Sequence, residues 1–206
     1  MKNMMHLGNV NVAAILLELK NNPQLWNEHT VRTQDPTSPH HGLDDIWVRY
    51  QHIDKVKNDP QAHIASLNEP HESVWYPSIN YLPSVKALAY EVMRMVKGER
   101  LGGILITRIH PGQECKRHID TGSWHAAYYD KYAVQLESAP DLAYHTGQAA
   151  EPEQAFHFDG EHFCARQGDL YWFNNQEFHW VPNNSAVDRI TIIFCIRTNK
   201  EDQFSK

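Results

Sequence analysis

The stretch GDLYWFNNQEFHWVPNNSAVDRITIIFCIR, Gly168 to Arg197, decides the architecture. Short apolar or aromatic runs, Leu170–Phe173 and Arg189–Ile196, flank a third segment, Gln176–Val181, that carries His179. Gly168-Asp169 and Pro182-Asn183-Asn184 supply the turns between them. The last run alternates: Ile190, Ile192, Phe194 and Ile196 share one face, and Arg189, Thr191, Ile193 and Cys195 share the other. Such period-two patterning is that of a strand with one strongly apolar side. It leaves Arg189 opposite the apolar stripe.

Working outward, the same texture extends back to about residue 100. Pro111-Gly112, Thr121-Gly122, Thr146-Gly147 and Asp159-Gly160 mark turns, and Gly103–Ile109, Lys131–Glu137 and Ala155–Phe158 read as strands between them. Regularly spaced short strands predict an antiparallel sandwich or barrel. Before residue 100 the chain reads differently. Asn11–Lys20 and Val85–Lys97 have helical spacing, the second with Ser84 as N-cap and Gly98 as stop. One strand, Asp45–Tyr50, lies between them. The expected organisation is a single domain over residues 1–206. Residues 1–100 form a helical and loop region with one strand, and residues 101–198 form the β core.

Composition narrows the function. A net charge of −6 provides no basic field for duplex nucleic acid. No apolar run reaches the ~18 residues a membrane span needs, and the run Val12–Leu17 is broken by Glu18 and Lys20, unlike a secretion signal. The three cysteines, Cys115, Cys164 and Cys195, form no C-x-x-C pair, which fits a reducing, cytoplasmic setting. Nucleotide-binding glycine motifs and a G-x-S-x-G elbow are absent.

Fourteen histidines offer chemistry. His-x-Asp occurs three times, as His52-Ile53-Asp54, His118-Ile119-Asp120 and His157-Phe158-Asp159, and so common a residue pair carries no meaning alone. Phe156, Phe158 and Phe163 fit the buried side of a hairpin turning at Asp159-Gly160, which turns His157 away and gives Asp159 to the turn. His52 ends a strand and leads into the solvated segment KVKNDP. His118 and Asp120 stand apart, for a strand places them on one face and His179 follows downstream. Two histidines and one carboxylate make a facial set that leaves positions open on iron(II). Arg189, ten residues beyond His179, could grip a carboxylate with its planar fork. Singly, each of these residues has an ordinary structural explanation; their order is what points to a site.

As an ensemble, these residues resemble the aspartyl/asparaginyl β-hydroxylase-like branch of the Fe(II)/2-oxoglutarate dioxygenases, over roughly Leu101 to Arg197. The likeness rests on His110-Pro111-Gly112, His118, the Gly168-Asp169 turn before an aromatic strand, His179, Asn183-Asn184 and Arg189-Ile190. It implies a mainly β (α+β) fold, with a double-stranded β-helix (jelly-roll, cupin-like) core and N-terminal helices packed on it. It implies His118, Asp120 and His179 as iron ligands and catalytic centre, and Arg189 on the distal carboxylate of 2-oxoglutarate. Thr107 falls where relatives place a hydroxyl near the cosubstrate, and Lys131 where they often carry an arginine. Where relatives place a histidine two residues later, this chain has Ala133, leaving Tyr132 or Gln135 to compensate. The implied chemistry uses iron(II), 2-oxoglutarate and O2 to hydroxylate a C–H bond in a peptide, protein or small-molecule substrate. The competing readings are a non-catalytic cupin-like module that binds a metal or ligand, and a metal-dependent hydrolase or isomerase. Neither needs a carboxylate anchor at Arg189. His40 and His41 read as loop residues, and Trp124, Trp172 and Trp180 as packing.

Overall fold

In the computed structural model, residues 2–52, 59–67, 69–120, 124–148 and 151–198 are described. Ile53 and Asp54 of the first His-x-Asp triplet and the Thr121-Gly122 turn lie outside these residues. The strands are β1 (Met4–Asn9), β2 (Asp44–Tyr50), β3 (Val74–Trp75), β4 (Gly98–Ile109), β5 (Glu114–His118), β6 (Asp130–Glu137), β7 (Phe156–Phe158), β8 (Glu161–Phe163), β9 (Asp169–Phe173), β10 (His179–Pro182) and β11 (Arg189–Thr198). The helices are α1 (Ala13–Asn21), α2 (Pro60–Leu67), α3 (Pro83–Met95), α4 (Trp124–Tyr128) and α5 (Leu142–His145).

A seven-stranded sheet has the order β1-β9-β6-β11-β4-β2-β3, and a four-stranded sheet the order β5-β10-β7-β8. All neighbours are antiparallel. From β4 onward the chain passes back and forth between the two sheets, so β4, β6, β9 and β11 face β5, β7, β8 and β10. This is a double-stranded β-helix, the expected core.

Alternation on β11 divides the interior in two. Ile190, Ile192, Phe194 and Ile196 enter a core shared with Ile15 and Leu19 of α1 and with Val85, Leu88, Ala89 and Val92 of α3. The last four recur at helical spacing, so α3 lays one apolar stripe on the outer side of the large sheet. The other face of β11 turns inward, toward a second core of Ala133, Phe156, Phe158, Tyr171, Phe173 and Val181 between the sheets.

Local details differ from the sequence expectations for identifiable reasons. Ser84 is not an N-cap. Leu82 takes that position, and the Ser84 N–H and hydroxyl both donate to the Glu18 carboxylate of α1, the hydroxyl at 2.6 Å. An acid from a neighbouring helix thus serves the N-terminus of α3, where its charge is favourable. Gly98 begins β4 instead of merely ending a helix: a Cβ there would come within 2.4 Å of Ile196 Cγ2, so glycine permits the close packing of β4 and β11. Among the described residues, 1–100 hold three whole strands, not one, and the start of β4, since β1 extends the large sheet at one side and β2 with β3 at the other. β1 lacks clear alternation and shifts register at Gly8, which hid it from pattern reading. Among the described residues no helix is long and apolar enough to cross a membrane.

Candidate metal centre

β10 begins at His179, directly opposite His118 at the end of β5. Opposed residues of an antiparallel pair project to the same side, and here that side is the space between the sheets. The two rings lie 4.3 Å apart. His118 Nε2 is 3.6 Å from Asp120 Oδ1, and His179 Nε2 is 4.0 Å from Asp120 Oδ2. One ligand atom from each residue lies within 4.8 Å of the other two. Separations of this size suit three groups converging on one ion at about 2.0–2.2 Å each.

The protonation pattern fits as well. His118 Nδ1 donates to the Lys116 carbonyl at 2.7 Å, and His179 Nδ1 to the Glu177 carbonyl at 2.9 Å. A carbonyl can only accept, so each Nδ1 carries the proton and each Nε2 presents a lone pair inward, the tautomer a metal requires. Burial lowers the pKa of both rings, that of His179 to about 4. Asp120 is held at about 2: burial opposes its ionisation, but the Lys131 ammonium and the two imidazoles outweigh it. This neutral–neutral–anionic set of two nitrogens and one oxygen matches a divalent first-row ion with open positions.

Arg189 lies in the same cavity, which has a volume of about 480 Å³. The residue is 3 % exposed, yet no carboxylate pairs with it among the described residues. Nε donates to the Gln154 carbonyl at 3.3 Å, Nη1 to Thr191 Oγ1 at 2.6 Å and Nη2 to the Tyr171 hydroxyl at 3.4 Å. Thr191 in turn donates to Gln135 Oε1 at 3.2 Å, and the Gln135 amide is fixed to the Glu137 and Ile190 carbonyls. Three of the five guanidinium N–H groups are therefore engaged. One remains on each terminal nitrogen, the number a carboxylate accepts from a fork.

The remaining candidates divide. Thr107 lines the cavity, but its hydroxyl donates to Asp45 at 2.8 Å and accepts from Arg32 at 3.1 Å. Lys131 also lines it, with its ammonium on Asp120 Oδ2, so it braces the proposed metal carboxylate instead of standing at Arg189. Tyr132 is removed from the site. It shares the outer face of β6 with Val134 and Leu136 and packs in the helix-covered core, whereas Lys131, Ala133 and Gln135 point inward. Gln135 acts through Thr191, and Ala133 simply packs in the inner core.

His40 is a loop residue as read, but it lines the cavity, with its ring 5.1 Å from that of His118. With Cys115 it forms a second cluster that shares His118. Sequence reasoning also missed Gln154, Tyr171, Thr191 and Arg32. Only Thr191 carried a signal, two residues from Arg189 on the same strand face.

No protein-family model matches the chain, and neither does any curated protein sequence. Solved structures do match. A viral collagen prolyl hydroxylase from Paramecium bursaria Chlorella virus-1, in its 2OG complex, superimposes with a TM-score of 0.53 at 10% identity, over 95% of each chain. A prolyl hydroxylase from Trichoplax adhaerens, in complex with a hypoxia inducible factor oxygen degradation domain peptide fragment, gives 0.52 at 14% identity. It covers 98% of this chain and 86% of that one. At such identities the likeness is one of fold. The fold and site together define a double-stranded β-helix protein with a two-histidine, one-carboxylate cluster between its sheets.

Proposed function

We propose that this protein is an Fe(II)- and 2-oxoglutarate-dependent dioxygenase, of the aspartyl/asparaginyl β-hydroxylase-like kind, that hydroxylates a C–H bond of an organic substrate. One observation carries this reading. A single cavity brings together three convergent metal-ligand atoms and a buried arginine fork that lacks a carboxylate. A buried charge without a counter-ion is costly unless a ligand supplies one. That the two solved structures named above are prolyl hydroxylases, one in a 2OG complex, supports the same reading.

His118, Asp120 and His179 would hold the iron, and Arg189 the distal carboxylate of 2-oxoglutarate. Bound iron and 2-oxoglutarate supply the oxidising chemistry: dioxygen is consumed, the cosubstrate yields succinate and carbon dioxide, and one oxygen atom enters the substrate. The chain's own residues orient and protect. The Lys116 and Glu177 carbonyls fix the imidazole tautomers, Lys131 fixes Asp120, and Gln135, Thr191 and Tyr171 hold the Arg189 fork. Phe156, Phe173, Val181 and Ile193 line the cavity and limit water. A cytoplasmic setting fits the three free cysteines. A cupin-like module that merely binds a metal would not need Arg189.

Anaerobic titration with iron(II) and 2-oxoglutarate is expected to produce the visible charge-transfer band of the chelate in wild type and none in His179→Ala. A folded, iron-binding protein without that band would overturn the oxygenase assignment.

A further inference from the structure

The cavity holds a second arginine with unused donors. Arg32, on the loop before β2, directs Nε to Asp45 Oδ2 at 2.5 Å and Nη2 to Asp45 Oδ1 and Thr107 Oγ1, each at 3.1 Å. Asp45 is fully buried on β2. Nη1 has no protein partner among the described residues, so both of its N–H groups remain for something that enters the cavity. Nothing about a clamp between a loop and β2 requires those two donors.

Counting charge points the same way. The cavity and its immediate supports contain three cations, Arg32, Lys131 and Arg189, against two inward carboxylates, the fully buried Asp45 and the partly buried Asp120. Asp35, also at the cavity, is partly exposed and tied to the Thr37 N–H and hydroxyl. A dicationic metal and a dianionic cosubstrate cancel one another, so apart from Asp35 the loaded interior retains one positive charge. Buried charge favours a counter-ion. Asp45 and Asp120 are then both engaged, which leaves the partly exposed Asp35 as the one cavity carboxylate, among the described residues, without a cation.

The wall beside Arg32 is uncharged. Tyr50, His63 and His125 line it, and burial lowers the pKa of His63 to about 4 and that of His125 to about 3. His125 is 6 % exposed, and its Nε2 has no partner among the described residues. Gly103 keeps this corner open: a Cβ there would lie 3.1 Å from the Tyr50 ring and 3.5 Å from His125 Nε2. At about 480 Å³ the cavity is near the small end of ligand sites, even before the cosubstrate takes its share.

We propose that Arg32 Nη1 and the Tyr50–His63–His125 wall form the substrate subsite, and that its occupant is a free, small monocarboxylate with an apolar or aromatic body. That this occupant is the molecule oxidised rests on the dioxygenase reading; that it binds does not. An internal peptide residue brings a carboxylate only as an aspartate or glutamate side chain, on a backbone that a cavity of about 480 Å³ does not enclose. The ammonium of a free amino acid meets no carboxylate free of a cation there, among the described residues, but the partly exposed Asp35.

Calorimetry on the full chain with manganese(II) and saturating 2-oxoglutarate tests this, with 3-phenylpropionate, hexanoate, 3-phenylpropanamide and phenylalanine as probes. At least one of the two carboxylates is expected to bind, with the amide and the amino acid about ten-fold weaker or more. Arg32→Lys keeps a cation beside Asp45 but removes the fork, and it should weaken the carboxylate by a similar factor. Equal binding of acid and amide, no binding of either carboxylate, or full binding by a folded Arg32→Lys protein would each overturn the proposal. The acid–amide comparison uses wild type alone, so it survives a variant that fails to fold. Repeating the titration without metal and 2-oxoglutarate separates the two readings. Arg32-dependent binding there, with no uptake of manganese(II) and 2-oxoglutarate, would sink the oxygenase assignment and leave the subsite standing.

Discussion

His118-Ile119-Asp120 and His157-Phe158-Asp159 have nearly the same composition and lie at the ends of strands on either side of β10. His179 opposes His118 on one neighbour and Phe158 on the other, all on the inner face, while Trp180 opposes His157 on the outer face. His157 accordingly stacks on Trp180, with ring centroids 5.2 Å apart, and Asp159 in the hairpin turn pairs with Arg117. One residue of phase against β10 thus separates a candidate metal ligand from a surface stack. The lesson is that a metal pair on a strand is defined by which sheet face its partner strand buries, and not by the pair itself.

The sharpest way to break this comparison is to remove each histidine in turn. His118→Ala should abolish stoichiometric iron(II) binding, followed by calorimetry under anaerobic conditions. His157→Ala should leave it unchanged. Equal losses would show that the inner and outer faces are misassigned. Next in size, Arg189→Ala should weaken 2-oxoglutarate by about 10²- to 10³-fold, the cost expected when a buried charged pair loses one partner. Iron binding in its absence should persist, because Arg189 touches none of the three ligands.

A smaller effect is expected from Thr191→Val, which leaves Arg189 Nη1 and Gln135 Oε1 each short of a partner. About 1–3 kcal/mol is typical for such a loss, so 2-oxoglutarate affinity should fall by about ten-fold to one-hundred-fold. The smallest effect concerns His110, an outer histidine of a third kind. Its Nδ1 meets Asp188 Oδ1 and its Nε2 meets Asp44 Oδ2, both at 2.8 Å. Both carboxylates accept, so the ring is held doubly protonated. Burial opposes that charge, but the two acids outweigh it and raise the pKa above 6.5. Its stabilising contribution is therefore complete below 6.5 and fades as pH rises through the raised value. A melting-temperature profile should show this decline in wild type and not in His110→Asn. Being partly exposed, the network is screened and the shift modest.

Much of the frame was legible in the chain. Arg189–Ile196 alternates as β11 does, the hairpin turns at Asp159-Gly160 with Gly160 at φ +82°, and Val85, Leu88, Ala89 and Val92 mark the buried stripe of α3. Tyr132 is instructive in the other direction. Lys131 to Leu136 alternates as clearly as β11, and that pattern by itself assigns Tyr132 to the face of Val134 and Leu136; the family likeness drew it toward the cosubstrate. Arg32 and Gln154 had no local signal, because both sit in loops whose course depends on what they pack against.

The sequence by itself determined which strand residues share a face: period two ties Arg189 to Thr191 on β11 and Lys131 to Ala133 on β6, since the pleat projects alternate side chains oppositely. Asp120, by contrast, lies past the end of β5 and is brought to His118 by the chain beyond it. Only the tertiary structure decided which face is the inner one, and so which His-x-Asp pair meets His179. It also decided that Lys131 braces Asp120, and that Arg32 joins the cavity from a loop some 75 residues before Thr107. The reason is physical. Alternation is a property of one backbone, whereas inside and outside exist only once two sheets enclose a space.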